Sequence, residues 1–274
     1  MKILILGASG YIGTHIMLRL SQNYDKVYGT YHLEQAEYQG DTHMLHFEMG
    51  DWARLDEILN TVNPTYVVSC LTGDYELQME THRRVAEFLA KREVKCMVYL
   101  SSVAVFDGAT DKPHTESDEP AAETEYGKFK LQCEREMQKL LGDDCIILRI
   151  PLVYGRKCPR VLKLMQDTKL GETIQTYENL YVNYATAEQI TGWLVYILKN
   201  GLKGIFHVGT EDMSEYSEFL ERIIAALRLQ VPIYQTEYYA ENRYQAAIPG
   251  RSEIPAKLRL TVEQVLRSVW ENER

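Results

Sequence analysis

The sequence predicts an α/β protein with a doubly wound parallel sheet and a smaller C-terminal lobe, and three observations carry that reading. The first 150 residues alternate short apolar runs with amphipathic stretches of helical length, the mark of βαβ units. A glycine-rich turn stands at the first strand-to-helix junction. Past Gly155 the rhythm loosens.

The candidate strands of the first part are Lys2–Leu6, Lys26–Thr30, His43–Phe47, Tyr66–Cys70, Met97–Ser101 and Cys145–Arg149. Between them lie candidate helices Tyr11–Leu20, Asp51–Leu59, Glu76–Ala90 and Glu123–Leu140. Strands joined by helices pair in parallel, and right-handed crossovers make the doubly wound sheet the economical topology. Beyond Gly155, short strands (Thr173–Thr176, Ile205–Val208) alternate with helices (Thr186–Lys199, Glu215–Leu229, Val262–Glu271). Gln230–Lys257 reads as a low-regularity segment with a variable loop, since it holds three of the eight prolines. The division expected is a core over 1–155 and a lobe over 156–274, with some of the later elements returning to the core.

Composition sets the outer bounds. A chain of 274 residues, 45% hydrophobic and 25% charged, can bury a large core. A net charge of −9 argues against nucleic acid or an anionic membrane as partner, though not against an anionic small molecule met by local arginines. The apolar run Ile3–Leu6 is too short for a signal or a span, so a cytoplasmic protein is expected. The five cysteines (Cys70, Cys96, Cys133, Cys145, Cys158) are odd in number and show no CxxC spacing, which reads as reduced core thiols. His43 and His46 do not make a metal pair, because residues three apart on a strand face opposite ways; no metal is expected.

Gly7-Ala8-Ser9-Gly10-Tyr11-Ile12-Gly13 is a GxxGxxG turn that closes a strand and opens a helix. Gly7 permits the tight turn, Gly10 lets the backbone approach a pyrophosphate, and Gly13 allows helix to pack on strand. The helix N-terminus then presents N–H groups and a positive dipole end to phosphates. This is a dinucleotide cradle of the Rossmann kind, with Ser9, Tyr11 and Ile12 among its contacts. The second strand ends in Thr30-Tyr31-His32, with no acid until Glu34, and so lacks the carboxylate that usually binds the 2′-hydroxyl of NAD. No arginine stands there either. The cofactor expected is NADP or NAD, with a slight lean to NADP; Tyr31 and His32 border the ribose, and Glu48 and Met49 flank the adenine.

Tyr126 and Lys130 form Tyr-x-x-x-Lys, a spacing that chance alone readily supplies in a chain with 19 tyrosines. Placement carries the argument. Ser101-Ser102 end the fifth strand, at the carboxyl edge where open α/β sheets bind ligands, and Tyr126 and Lys130 share one face of the helix that follows. Ser102, Tyr126 and Lys130 make a carbonyl-reducing set. Tyr126 exchanges a proton with the substrate oxygen, Ser102 hydrogen-bonds that oxygen, and Lys130 holds the ribose and favours the phenolate. Lowering a phenol from about 10 to neutrality takes roughly 4 kcal/mol, which a nearby ammonium in a dry site can supply.

GASGYIG, VVSCLT, YLSSVAVFDG, EYGKFKLQCE, LRIPLVYG and KGIFHVG together resemble the extended short-chain dehydrogenase/reductases, the NAD-dependent epimerase/dehydratase superfamily, and within it the dTDP-4-dehydrorhamnose reductase branch. The resemblance implies that Ser102, Tyr126 and Lys130 are catalytic. It also implies that Cys70, Leu71 and Thr72 line the cofactor and that Ile150 and Pro151 lie beside the nicotinamide. The expected activity is NAD(P)-dependent reduction or epimerisation of a nucleotide-activated 4-keto sugar, with a homodimer as one assembly the reading allows. At three sugar-contacting places the chain departs from that branch. Val103-Ala104 replace an Asp-Tyr pair, Leu152 replaces an aromatic residue, and an Arg-Pro-x-x-Ser stretch survives only as Gly250-Arg251-Ser252. The departures point away from dTDP-4-dehydrorhamnose itself, with Val103, Ala104, Leu152 and Arg251 at the substrate. The same branch includes a non-catalytic regulatory subunit of methionine adenosyltransferase, similar to this chain in LRIP-x-x-YG, which offers a cofactor-binding partner protein as one alternative. A reductase of a non-nucleotide ketone is the other.

Overall fold

The computed structural model describes residues 1–33 and 43–271. Glu34, cited above for the ribose pocket, lies outside the described residues. The strands are β1 (Ile3–Leu6), β2 (Val27–Tyr31), β3 (Met44–His46), β4 (Tyr66–Ser69), β5 (Cys96–Ser102), β6 (Cys145–Ile150), β7 (Leu152–Val153), β8 (Thr173–Val182), β9 (Tyr184–Ala185), β10 (Ile205–His207), β11 (Ser214–Glu215) and β12 (Ile233–Gln245). The helices are α1 (Tyr11–Ser21), α2 (Trp52–Val62), α3 (Tyr75–Ala90), α4 (Glu125–Leu141), α5 (Pro159–Leu170), α6 (Ala187–Asn200), α7 (Tyr216–Ala226) and α8 (Val262–Trp270).

Seven strands form the main sheet in the order β10-β6-β5-β4-β1-β2-β3. The pairs β1–β2, β1–β4, β2–β3 and β4–β5 are parallel. The chain runs from β1 outward to β3, then returns to β4 on the other side of β1. The switch point, where such sheets bind ligands, therefore lies at the carboxyl ends of β1 and β4. The α/β, doubly wound fold expected from the sequence is the one formed, with each strand of the first part within a residue or two of its predicted bounds.

The chain divides into two compact units. The first comprises Met1–Ser101, Phe129–Leu148 and Leu194–Ile205. Its core stacks Leu4 and Leu6 of β1, Val67 of β4 and Met97 of β5 against Leu55, Ile58 and Leu59 of α2, Val85 and Leu89 of α3, and Met137 of α4. Each such side chain contributes roughly 1.5–3 kcal/mol on burial. The second unit comprises Ser102–Lys128, Arg149–Trp193 and Phe206–Arg274. It holds a three-stranded sheet, β11-β8-β12, and the pair β7-β9. Its buried aromatic centre is Tyr154, Tyr184 and Phe219, with the last two stacked 3.6 Å apart.

Two parts of this second unit differ from expectation. Gln230–Lys257 is not a low-regularity segment: β12 fills much of it and pairs in parallel with β8, with a register shift between Tyr238 and Arg243. Most of β12 is exposed on both faces, so no alternation of apolar and polar residues marks it, and the three prolines flank the strand instead of interrupting it. Its partner β8 correspondingly runs on to Val182, beyond the expected Thr176. Helix α5 was not anticipated either. Proline at its first turn and Gly171 in the left-handed region at its end are proper boundary signals. Its inward face (Val161, Leu164, Thr168) is blurred by exposed Leu162, Met165 and Leu170.

The turn after β1 depends on a backbone contact. A Cβ on Gly13 would fall well inside contact distance of the Gly7 carbonyl oxygen and 2.9 Å from Ala8 Cα. Gly13→Ala should therefore cost about 3 kcal/mol in urea unfolding. Gly10→Ala, whose Cβ meets only the Gly7 carbonyl oxygen at 3.4 Å, should change stability by well under half of that. Equal losses at the two positions would contradict this packing.

Candidate functional site

In the first unit, β1 delivers Gly7 with φ +75°, and the Gly10 N–H closes the turn on the Gly7 carbonyl at 3.1 Å. The Gly7 N–H itself donates to Thr30 Oγ1 of β2 at 2.9 Å, which ties the turn to the neighbouring strand. Gly10 caps α1 without any side-chain hydrogen bond, and the first turn of α1 carries no acid. The helix start thus keeps its N–H groups and dipole end for an anion, and a Cβ on Gly10 would meet only the Gly7 carbonyl oxygen, at 3.4 Å. A pyrophosphate fits that chemistry.

The other predicted cofactor residues of this unit stand at neighbouring strand ends. Tyr31 ends β2 with its ring 5.5 Å from that of His46, and His32 follows it. Glu48 lies just past β3, 3.9 Å from His32 Nε2. Met49 is in turn close to Gly73 of the β4–α3 loop. Cys70 follows β4, where its N–H donates to Leu6 of β1, and its carbonyl and the Leu71 nitrogen flank Gly7. Tyr11 sits edge-on to His15, 5.0 Å away. Ser9 and Ile12 are half-buried and Thr72 is exposed.

Lys130 belongs to the same unit and is only 7% exposed. Its Nζ donates to the Leu100 carbonyl at 3.0 Å and lies 4.8 Å from the centre of the Tyr99 ring. Burial pulls its ammonium down to about 8, against the opposing influence of Cys133, Glu134 and Cys70. Beside it His82 is held neutral, pushed down to about 3 by burial and by the Lys130 charge. His82 bonds Ser69 Oγ at 2.7 Å.

In the second unit, Ser102 ends β5 and opens a 3₁₀ turn, Val103–Phe106, where its hydroxyl accepts from the Ala104 N–H at 3.2 Å. The start of α4 is tied to that turn twice. Asp107 Oδ1 accepts from the N–H groups of Glu123 (2.6 Å) and Thr124 (3.2 Å), and the Thr124 hydroxyl donates to its other oxygen. Thr124 Oγ1 in turn accepts from the Gly127 N–H at 3.0 Å, a side-chain cap on the helix. A Cβ on Gly127 would collide with the Ala104 carbonyl oxygen and with Asp107, so only glycine lets the helix come this close. Tyr126, 40% exposed, therefore rides on a helix end clamped to the turn that Ser102 begins.

Asp107, Thr124 and Gly127 escaped the sequence reading as positioning residues, although an Asp-Gly after the turn and a Thr ahead of the helix were visible signals. Of the remaining predicted residues, Ile150 ends β6, Pro151 packs near Gly209, and Leu152 opens β7. Arg251 lies 4.2 Å from the centre of the Phe206 ring and is bound to Glu253, Nη2 to Oε1 at 2.8 Å, so part of its charge is already engaged.

Comparison with known proteins places this architecture. The family described as RmlD substrate binding domain matches residues 1–273. The probable low-salt glycan biosynthesis reductase Agl14 of Haloferax volcanii is 25% identical over 270 residues, 92% of this chain and 89% of that protein. Among solved structures, a dTDP-4-dehydrorhamnose reductase from Clostridium acetobutylicum superposes with a TM-score of 0.72 at 18% identity, covering 98% of each chain. The Bordetella bronchiseptica enzyme WbmH, in complex with NAD+, superposes with a TM-score of 0.78 at 16% identity, covering 98% of this chain and 96% of that one. The full-length match, carried on this fold and this turn, makes the chain a member of the RmlD substrate binding domain family.

Proposed function

We propose that the protein is an NAD(P)-dependent reductase of a nucleotide-activated sugar, with Ser102, Tyr126 and Lys130 as its catalytic residues. The observation that carries this reading is the clamp on α4. Asp107, Thr124 and Gly127 hold the helix end that presents Tyr126, and the Lys130 ammonium is buried one turn further along the same helix. The full-length likeness to a glycan biosynthesis reductase supports the same class. A regulatory subunit is not favoured, because a binding module has no need of the serine–tyrosine–lysine set.

The bound cofactor supplies a hydride. Gly7, Ser9, Gly10, Tyr11, Ile12 and Gly13 would hold its phosphates. Tyr31, His32, Glu48 and Met49 would lie along the adenosine, and Cys70, Leu71, Thr72, Ile150 and Pro151 toward the nicotinamide. Tyr126 gives its phenolic proton to the substrate carbonyl oxygen as negative charge develops there. Ser102 donates a hydrogen bond to that oxygen. Lys130 supports the phenolate that Tyr126 becomes and binds the ribose. A preorganised charge in a dry site acts on the transition state without reorganising solvent. Val103, Ala104, Leu152 and Arg251 are the candidate substrate contacts, and the first three leave the sugar with fewer polar partners than an Asp-Tyr pair and an aromatic would. Among the described residues no helix is long and apolar enough to cross a membrane. Free thiols at all five cysteines fit a cytoplasmic enzyme.

Gly10→Val should abolish NADPH binding, followed by nucleotide fluorescence, in a protein that still folds; unchanged affinity would remove the cofactor from this turn. With no acid at positions 31–33, NADPH should bind at least as tightly as NADH. A tenfold preference for NADH, about 1.4 kcal/mol, would overturn that assignment. Tyr126→Phe should keep the fold and the cofactor while turnover of a nucleotide 4-keto sugar drops about 10²–10⁴-fold. Lys130→Met should differ in kind, losing cofactor affinity as well as turnover. Equal turnover by Tyr126→Phe and wild type would leave Tyr126 a packing residue. If no ketone or nucleotide sugar ever oxidises bound NADPH, the regulatory reading takes over.

A further inference from the structure

The proposed reaction has no use for the carboxylate of Glu134, yet this side chain is among the most deeply buried polar groups of the first unit, 1% exposed. Its position is one helical turn past Lys130 on α4, so the two side chains share a face. Ser101 of β5 donates its hydroxyl hydrogen bond to Glu134 Oε1. Ser101 follows Leu100, whose carbonyl accepts from Lys130 Nζ. Two consecutive residues of one strand thus hold two consecutive turns of one helix, one through the ammonium and the other through the carboxylate. An acid is expensive to bury unless it is bonded and paired, and an apolar residue would pack here at less cost.

We propose that Glu134 is a positioning residue: its buried carboxylate, tethered by Ser101, keeps the Lys130 ammonium charged and aligned where the cofactor ribose and Tyr126 need it. The inference rests on the role given to Lys130 above. Ionisable groups from several elements stand around that ammonium. Glu134 and Cys133 face it from α4, Cys70 from the end of β4, His82 from α3, and Tyr99 from β5. His82 is neutral and itself disfavoured by the lysine charge. Burial pushes the thiols of Cys70 and Cys133 up, so they stay protonated. Tyr99 meets the ammonium with its ring, and Glu134 is the carboxylate among these neighbours. Burial works against the ammonium and Glu134 works for it.

The test follows Lys130 directly, without cofactor, by ¹³C NMR of the lysine Cε as pH is raised. Glu134→Gln keeps an oxygen to accept the Ser101 hydrogen bond and removes only the charge. Its Lys130 midpoint should fall by about one pH unit or more below the wild-type value, as expected on losing an adjacent opposite charge. An unchanged midpoint in folded Glu134→Gln overturns the proposal. Should that variant fail to fold, Glu134→Asp withdraws the charge by one methylene and should lower the midpoint by a smaller amount; no change there overturns the proposal equally. A purely structural glutamate would alter stability and leave the midpoint where it was. Because no cofactor is present, a wild-type protein that binds no NADPH would sink the functional reading and leave this result intact.

Discussion

The hydrogen bond from Lys130 Nζ to the Leu100 carbonyl puts a charged group where this fold would more cheaply place an apolar one. Strand β5 and helix α4 must meet closely enough for the ammonium to find that carbonyl, and the meeting is made by the surrounding core: Met97 and Tyr99 from the strand, Phe129, Cys133 and Met137 from the helix. Removing the lysine from water lowers its affinity for a proton to about 8. A shift from 10.5 to about 8 corresponds to roughly 3 kcal/mol spent against the charged form. A fold accepts that cost at few places, and perturbed groups of this kind gather at working sites.

Two helix N-termini are each brought up against a backbone carbonyl by related means and then treated differently. Gly13 lets α1 lie against the Gly7 carbonyl, and Gly127 lets α4 lie against the Ala104 carbonyl. At α4 the protein supplies its own cap: Thr124 takes the Gly127 N–H, and Asp107 takes two more N–H groups of the approach. At α1 no side chain does so. The capped end carries a phenol, that of Tyr126. The uncapped end keeps its donors and suits an anionic ligand. Within one architecture, the same electrostatic feature is consumed internally at one helix and left available at the other.

The first unit's elements were legible because its central strands β1, β4 and β5 are buried on both faces and read as continuous apolar runs, while its helices show one apolar stripe. The glycine turn stands at the strand end where the sequence placed it, as Ser102 stands at the end of β5 and Tyr126 and Lys130 on α4. What escaped lacked such a local signature. β12 is exposed on both faces, and α5 carries exposed leucines beside its buried ones. Asp107 acts across 16 residues on the Glu123 N–H, and the buried Glu134 is met by Ser101, 33 residues earlier. An acid on an amphipathic helix normally faces water. No pattern within the helix announces that this one does not.

If the buried ammonium both binds the ribose and titrates near 8, cofactor affinity must follow its protonation. The most direct measurement is the NADPH dissociation constant of the wild-type protein, by fluorescence, from pH 6 to pH 10, with Lys130→Met as reference. The account predicts tight binding on the acid side, a fall of about tenfold per pH unit above about 8, and a weak, nearly flat profile for Lys130→Met. Wild-type affinity that stays constant to pH 10, or a Lys130→Met profile that matches it, would contradict the account.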